Sequence, residues 1–256
     1  MPSATQLTQM LTVYGYPSQA FWRAFELDAL SRVTMERPIL ELGCGNGGFT
    51  RQACGTVEVG IDINPRAVEQ AGKTTAFGTV RLQDARKLEN KPQFATVLAN
   101  SVLEHISDVQ SVLEGCFRAL RPGGKLVTTV PLQDMNLGML FSSPAWIRYR
   151  QDRLCHVNLW SLGEWIATLH KAGFDVTLTE RFLSPQQIRV WDCMDGIAVL
   201  GTRRINAGGV SGKLTKALPG AWQRLIYSSY SRVLSSQLKD DGSENGCCAL
   251  IVASKP

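Results

Sequence analysis

The run Ile39-Leu40-Glu41-Leu42-Gly43-Cys44-Gly45-Asn46-Gly47-Gly48 constrains this chain more than any other stretch. A short apolar segment leads straight into glycines, which predicts a buried strand, a tight turn and then a helix. Glycine reaches positive φ without steric penalty and lets a ligand approach bare backbone. The helix after the turn would aim its positive end at that ligand. With the carboxylate of Glu41 two residues before the first glycine, the run predicts a nucleotide-derived cofactor lying over the end of a strand.

From residue 37 to 131 strand-like and helix-like segments alternate, which argues for βαβ units and a parallel sheet. Strands are expected at 38–42, 57–63, 79–83, 94–100 and 124–130. The clearest helix precedes the fifth strand: Val109, Val112, Leu113, Cys116, Phe117 and Leu120 recur at helical spacing, Ser107 and Gln110 suggest a capping box, and Pro122-Gly123-Gly124 stops it. Residues 132–158 read as an inserted lid or wall on the substrate side. Ser161 and Glu164 form a second capping box for a helix to about Lys171, and further strands are expected at 174–179 and 249–254. The segment from about 183 to 245 between them is too long for a hairpin and reads as a helical insert. It includes a helix after Pro219-Gly220 carrying Trp222, Leu225, Ile226, Tyr230, Val233 and Leu234, then a polar loop at 239–246. Residues 1–36 precede the sheet as a helical lid, with a turn at Tyr14-Gly15-Tyr16-Pro17 and an apolar stripe of Phe21, Phe25, Leu27 and Leu30. The expected organisation is this lid followed by an α/β domain over 37–256.

At 256 residues and 44% apolar composition, one α/β domain with additions is expected. A net charge of +5 permits an anionic acceptor or a membrane surface and does not demand nucleic acid. Seven scattered cysteines without a C-x-x-C pair, and only three histidines, argue against a zinc site, so no metal is expected. No secretory leader is visible and no apolar run approaches the roughly 18–20 residues of a spanning helix. Reduced thiols and a cytoplasmic location are therefore expected.

Read literally, Gly43, Gly45 and Gly48 also satisfy the dinucleotide fingerprint, with Asp62 about 20 positions on. Four features in register narrow this. Asp62 ends the second strand, where a carboxylate can accept both hydroxyls of a ribose. Asp84 ends the third, where it can accept from an adenine amino group. The fourth strand runs out through Asn100-Ser101-Val102-Leu103-Glu104-His105. Arg121-Pro122-Gly123-Gly124 leads into the fifth. Ligands of open α/β sheets bind outside the carboxyl ends of the strands, and these polar groups gather there. A nicotinamide reading leaves Glu41, Asp84 and the Pro-Gly-Gly segment without roles, and no Tyr-x-x-x-Lys pair is present for hydride chemistry.

On these residues the chain resembles the class I S-adenosylmethionine-dependent methyltransferases, of the group that includes quinone-biosynthesis enzymes. The resemblance covers residues 36–131 most closely. It implies a Rossmann-like, mostly parallel seven-stranded sheet with an antiparallel last strand and helices on both faces. It also implies a cofactor, S-adenosylmethionine, held by Glu41, Gly43, Cys44, Gly45 and Gly47, by Asp62 with Ile63, by Asp84 with Ala85, and by Asn100, Ser101 and Val102.

The sulfonium already carries an activated methyl group, so the protein's task is in-line alignment of an acceptor and exclusion of water. A base is needed only where the acceptor must lose a proton. His156 and His105 are the candidates, with His170 placed late in a helix where the dipole alone suits it. Tyr14, Tyr16, Trp22, Met135, Met139, Phe141, Trp146 and Tyr149 are candidate pocket residues for an apolar small-molecule acceptor. Arg148, Arg150 and Arg153, and separately Arg203, Arg204, Lys213, Lys216 and Arg224, are basic groups that could meet a membrane surface or a carrier protein. The expected activity is methyl transfer to an O, N or C atom of a small molecule. The alternatives are an RNA or protein methyltransferase, whose Asn/Asp-Pro-Pro-Tyr signature is missing after the fourth strand, and an NAD-dependent oxidoreductase.

Overall fold

The computed structural model describes residues 1–88, 91–198 and 245–256, with isolated positions between 213 and 225. Two helices open the chain, α1 (Ala4–Tyr14) and α2 (Pro17–Leu30). Ser3 caps the first with a full capping box, Gly15 ends it in the left-handed region, and Pro17 starts the second at a position where no backbone N–H is needed.

An alternating series follows: β1 (Ile39–Leu42), α3 (Gly48–Ala53), β2 (Val57–Asp62), α4 (Pro65–Ala71), β3 (Phe77–Leu82), β4 (Phe94–Asn100), α5 (Val109–Ala119) and β5 (Leu120–Pro131). Residues 132–158, expected as a lid among turn formers, hold two further helices, α6 (Met135–Gly138) and α7 (Pro144–Leu154). Then come α8 (Leu162–Lys171), β6 (Asp175–Phe182), α9 (Pro185–Ala198) and β7 (Cys248–Ser254). Every strand lies within a few residues of its expected place. The cap of α5 is Asp108, which accepts from Ser111 N–H, and not Ser107 as the capping-box pattern suggests. An aspartate one residue on offers an ionised acceptor to the same free amides. The helix expected after Pro219-Gly220 and the loop at 239–244 lie outside the described residues, isolated positions apart.

The seven strands form one sheet in the order β3-β2-β1-β4-β5-β7-β6. β1 pairs in parallel with both β2 and β4, while β7 runs antiparallel between β5 and β6. The chain thus moves outward from β1 to β3 and then crosses to β4 on the other side of β1. That reversal opens a crevice at the carboxyl ends of β1 and β4, the usual ligand position in such sheets.

The period-2 alternation of the strands separates two cores. Leu98, Val127, Leu250 and Val252 pack with α1, α2 and α9 on one face. Val97, Ala99, Leu126, Ile251 and Ala253 pack with α5 and α8 on the other. The N-terminal helices therefore share a core with the sheet and also reach its carboxyl edge. No helix among the described residues is long and apolar enough to cross a membrane.

Candidate active site

After β1 the chain doubles back through Gly43, Gly45 and Gly47, all at positive φ. Gly45 is the open position, since a β-carbon built there meets nothing within 4 Å. Its N–H donates to Asp62 Oδ2 at 2.9 Å, while Asp62 Oδ1 accepts from Asn64 N–H at 2.8 Å. The carboxylate at the end of β2 thus pins the glycine turn. Gly48 faces the opposite constraint. A β-carbon there would stand 2.6 Å from Val13 of α1, so the N-terminal helix presses on the turn.

Glu41 lies beneath the turn, buried, with Oε2 accepting from the Thr50 hydroxyl at 2.7 Å. Burial pushes its carboxyl up to about 8, against the opposing pull of that hydrogen bond and of Arg23. A buried acid with a single partner is a receptive site for a cationic group.

The crevice holds a cavity of about 270 Å³. The turn contributes Glu41, Gly43, Cys44 and Gly45 to its wall, and the end of β4 contributes Asn100 and Ser101. The N-terminal helices supply Tyr14, Gln19 and Arg23, and Asn46 and Phe49 complete it. The Arg23 guanidinium ion-pairs with Glu26 at 2.7 Å and stands 5.7 Å from the Phe49 ring centre. Burial raises the Tyr14 hydroxyl above its usual range, with Arg23 opposing.

These walls form a cradle of bare backbone, a buried acid and a partly buried cation, and a methyltransferase-domain family model matches residues 19–179. The chain belongs to the class I S-adenosylmethionine-dependent methyltransferases. It is 32% identical over 118 residues to the mitochondrial ubiquinone biosynthesis O-methyltransferase of Rattus norvegicus, covering 41% of this chain and 34% of that protein. It is 33% identical over 99 residues to the ubiquinone biosynthesis O-methyltransferase of Pseudomonas fluorescens SBW25, covering 35% and 42%. The aligned segments thus span less than half the length of these relatives. A methyltransferase structure from Thermotoga maritima shares the fold at a TM-score of 0.58 and 18% identity, over 92% of this chain and 90% of that one.

Within this methyltransferase, six of the expected cofactor residues line the cavity: Glu41, Gly43, Cys44, Gly45, Asn100 and Ser101. Val102 stands behind the turn, against Gly43, and Gly47 ends the turn as the cap of α3. Asp62, Ile63, Asp84 and Ala85 sit on the neighbouring strand ends, where Gln83 N–H donates to Asp62 O. Ile63 is 68% exposed, an apolar surface with no protein cover. Asp84 is gripped by Arg86, whose side-chain bonds hold its carboxyl down at about 2.

The expected acceptor residues divide. Tyr14 lines the cavity. Trp22 donates its indole N–H to Glu26 and tilts against Trp191 at 5.0 Å. Tyr16 is exposed at the start of α2. Met135 and Met139 are fully packed in the core on the α2 face and line neither described cavity. Phe141, Trp146 and Tyr149 form an aromatic shelf around a second, open cavity of about 470 Å³.

Arg150 does not belong to a surface basic cluster. It is fully buried, paired with Asp192 and Asp195 of α9, because Trp146 and Trp191 close over it. Arg148 stays exposed, and Arg153 stands 3.6 Å from Asp195. Of the second basic group, Arg203, Arg204 and Lys216 lie outside the described residues.

The two histidines sit together beside the end of β4 rather than in the cavity wall. Their ring centres are 5.4 Å apart. His105 Nδ1 faces the Cys155 carbonyl at 3.0 Å, and His156 Nδ1 faces Gln151 Oε1 at 2.9 Å, which makes both Nδ1 atoms donors. Burial, helped by the neighbouring His105, lowers His156 to about 4, so its imidazole is neutral at physiological pH. Glu104 beside them is buried and pushed up to about 8 by that burial. Ligand atoms of Glu104, His105 and His156 lie within 4.8 Å of one another, a convergence that cysteine and histidine spacing did not suggest.

Sequence reasoning passed over Gln19, Arg23, Glu26 and Thr50. The readable signal was Glu26, an acid on the apolar stripe of α2, flanked by Trp22 and Leu30 at helical spacing.

Proposed function

We propose that this chain transfers a methyl group from S-adenosylmethionine to a small-molecule acceptor. The cavity at the β1–β4 crevice carries the reading: bare glycine backbone, a buried acid and a partly buried cation meet there. Glu41 and Arg23 suit the ammonium and carboxylate of the donor's methionine part, and Asp62 with Asp84 suits its ribose and adenine. When bound, the donor supplies a methyl on a sulfonium, and displacement leaves a neutral thioether. The chain's residues hold that donor, align it and keep water from it.

An oxygen acceptor on an apolar ring is the finer reading. The similar rat and Pseudomonas proteins are named for O-methylation in ubiquinone biosynthesis, and the Phe141–Trp146–Tyr149 shelf offers aromatic surface. His156, neutral and with Nε2 free to accept, is the proposed base for such an acceptor. Calorimetry with S-adenosylmethionine, followed by transfer assays with radiolabelled methyl on phenol, amine and carbon acceptors, tests both levels. Absence of donor binding would overturn the assignment. A His156→Ala protein with wild-type turnover would remove that residue as the base.

A further inference from the structure

Glu26 lies on the buried face of α2 and is 0% exposed. Its Oε1 accepts from Trp22 Nε1 at 2.8 Å and from the Ser101 hydroxyl in a very short contact. Its Oε2 accepts from Arg23 Nη1 at 2.7 Å and from Asn100 Nδ2 at 2.9 Å. Four donors therefore converge on one carboxylate, two from α2, one from the last residue of β4 and one from the residue after it. The Asn100 amide is oriented from its other side, because Oδ1 accepts from the Thr129 hydroxyl at 2.8 Å. Ser101 stands at a φ of +50°, uncommon for a residue with a side chain, with its N–H on Thr129.

Arg23, Asn100 and Ser101 all line the cavity, and Glu26 lies behind them. We propose that Glu26 is the positioning residue of the donor site: it fixes one cation, one amide and one hydroxyl of the cavity wall and docks α2 onto the end of β4. This rests on the methyl-donor reading above. A base role does not fit, because a carboxylate already accepting four hydrogen bonds has no lone-pair direction left for a substrate proton. Its effect runs through the three residues it holds, and small misplacements of such groups weaken a site.

The test is Glu26→Gln, which sets an NH₂ group against two of the four donors and takes the charge from the other two. With far-UV circular dichroism unchanged, the Kd for S-adenosylmethionine should rise roughly tenfold or more, as expected for lost bonds to a charged group. The KM for donor should rise with it while the acceptor's KM stays put. The paired exchange Glu26→Gln with Asn100→Asp sets an amide against a carboxylate again and should recover at least about threefold of the affinity, as a coupled pair does. Donor affinity within about twofold of wild type in Glu26→Gln, or a loss that only tracks the unfolded fraction, overturns the proposal. If Glu26→Gln does not fold, Ser101→Ala decides, and there too a near-wild-type donor affinity overturns it. Failure of the wild-type protein to bind S-adenosylmethionine would instead strike the underlying reading.

Discussion

Asp62 commits both carboxylate oxygens to backbone N–H groups, one on the glycine turn and one on the following loop. Its loss therefore loosens the turn and removes the proposed ribose partner together. Asp62→Ala should weaken S-adenosylmethionine binding at least tenfold by calorimetry, in line with roughly 1.5–3 kcal/mol for bonds to a charged group. Glu41 behaves differently. Burial raises it to about 8, so near pH 6 the empty site holds it protonated. A cationic ligand favours the ionised form, so donor binding should release a proton. Affinity should climb from pH 6 to about 8 and then level off. Calorimetry in buffers of different ionisation enthalpy reads the proton directly, and Glu41→Gln should flatten the profile. Both acids were legible because they sit at fixed distances from the glycines. Glu26 offered a weaker signal, an acid on an apolar stripe, and its role was not legible: its outside partners, Asn100 and Ser101, lie 74 and 75 residues away, and no local pattern encodes such a meeting.

At the scale of elements, α7 and α9 are joined by charge rather than by a large apolar seam. Asp192 is buried and takes Arg150, the Leu140 N–H and the Trp146 indole N–H, and Asp195 takes Arg150 and the Ser18 hydroxyl of α2. Removing one partner of a buried ion pair strands the others. Arg150→Ala should therefore cost about 3–5 kcal/mol, seen as a lower urea midpoint. An Arg150→Met exchange paired with Asp192→Leu should restore much of the loss by replacing the pair with apolar packing. This network explains why the stretch 132–158 looked irregular in the sequence. The α7 helix has a weak apolar stripe because contacts of Trp146 and Arg150 are polar and made to a helix about 45 residues further on. The strands were legible for the converse reason. Val97, Leu98 and Ala99, or Leu250, Ile251 and Val252, face packed layers on both sides and read as continuous apolar runs. The α1 helix escaped notice because only Leu7, Met10 and Leu11 bury.

For the whole molecule the buried acids set a pH dependence of stability. Glu41 and Glu104 both have folded values near 8, raised by burial above the ordinary 4.5. In that direction the folded state holds protons that the unfolded chain has released. The stability is fully present below the unfolded value and is lost as pH rises through 8. His156, lowered to about 4, acts on the acid side, where the unfolded chain takes up a proton that the folded one refuses. Between pH 7 and 9 only the two acids count among these three. Each should cost about 1–1.5 kcal/mol across that interval, so the two together give about 2–3 kcal/mol. Urea midpoints at the two pH values measure this sum together with a smaller loss from Cys44, Cys54, Cys116 and Cys248, whose thiols burial also raises, and Glu41→Gln and Glu104→Gln should each remove about half of the acids' share. Saturating S-adenosylmethionine should abolish the Glu41 half alone, because the bound cation keeps that carboxylate ionised at both pH values. An unchanged slope with donor present would separate Glu41 from the site and leave Arg23 and the glycine turn to hold the ligand without it.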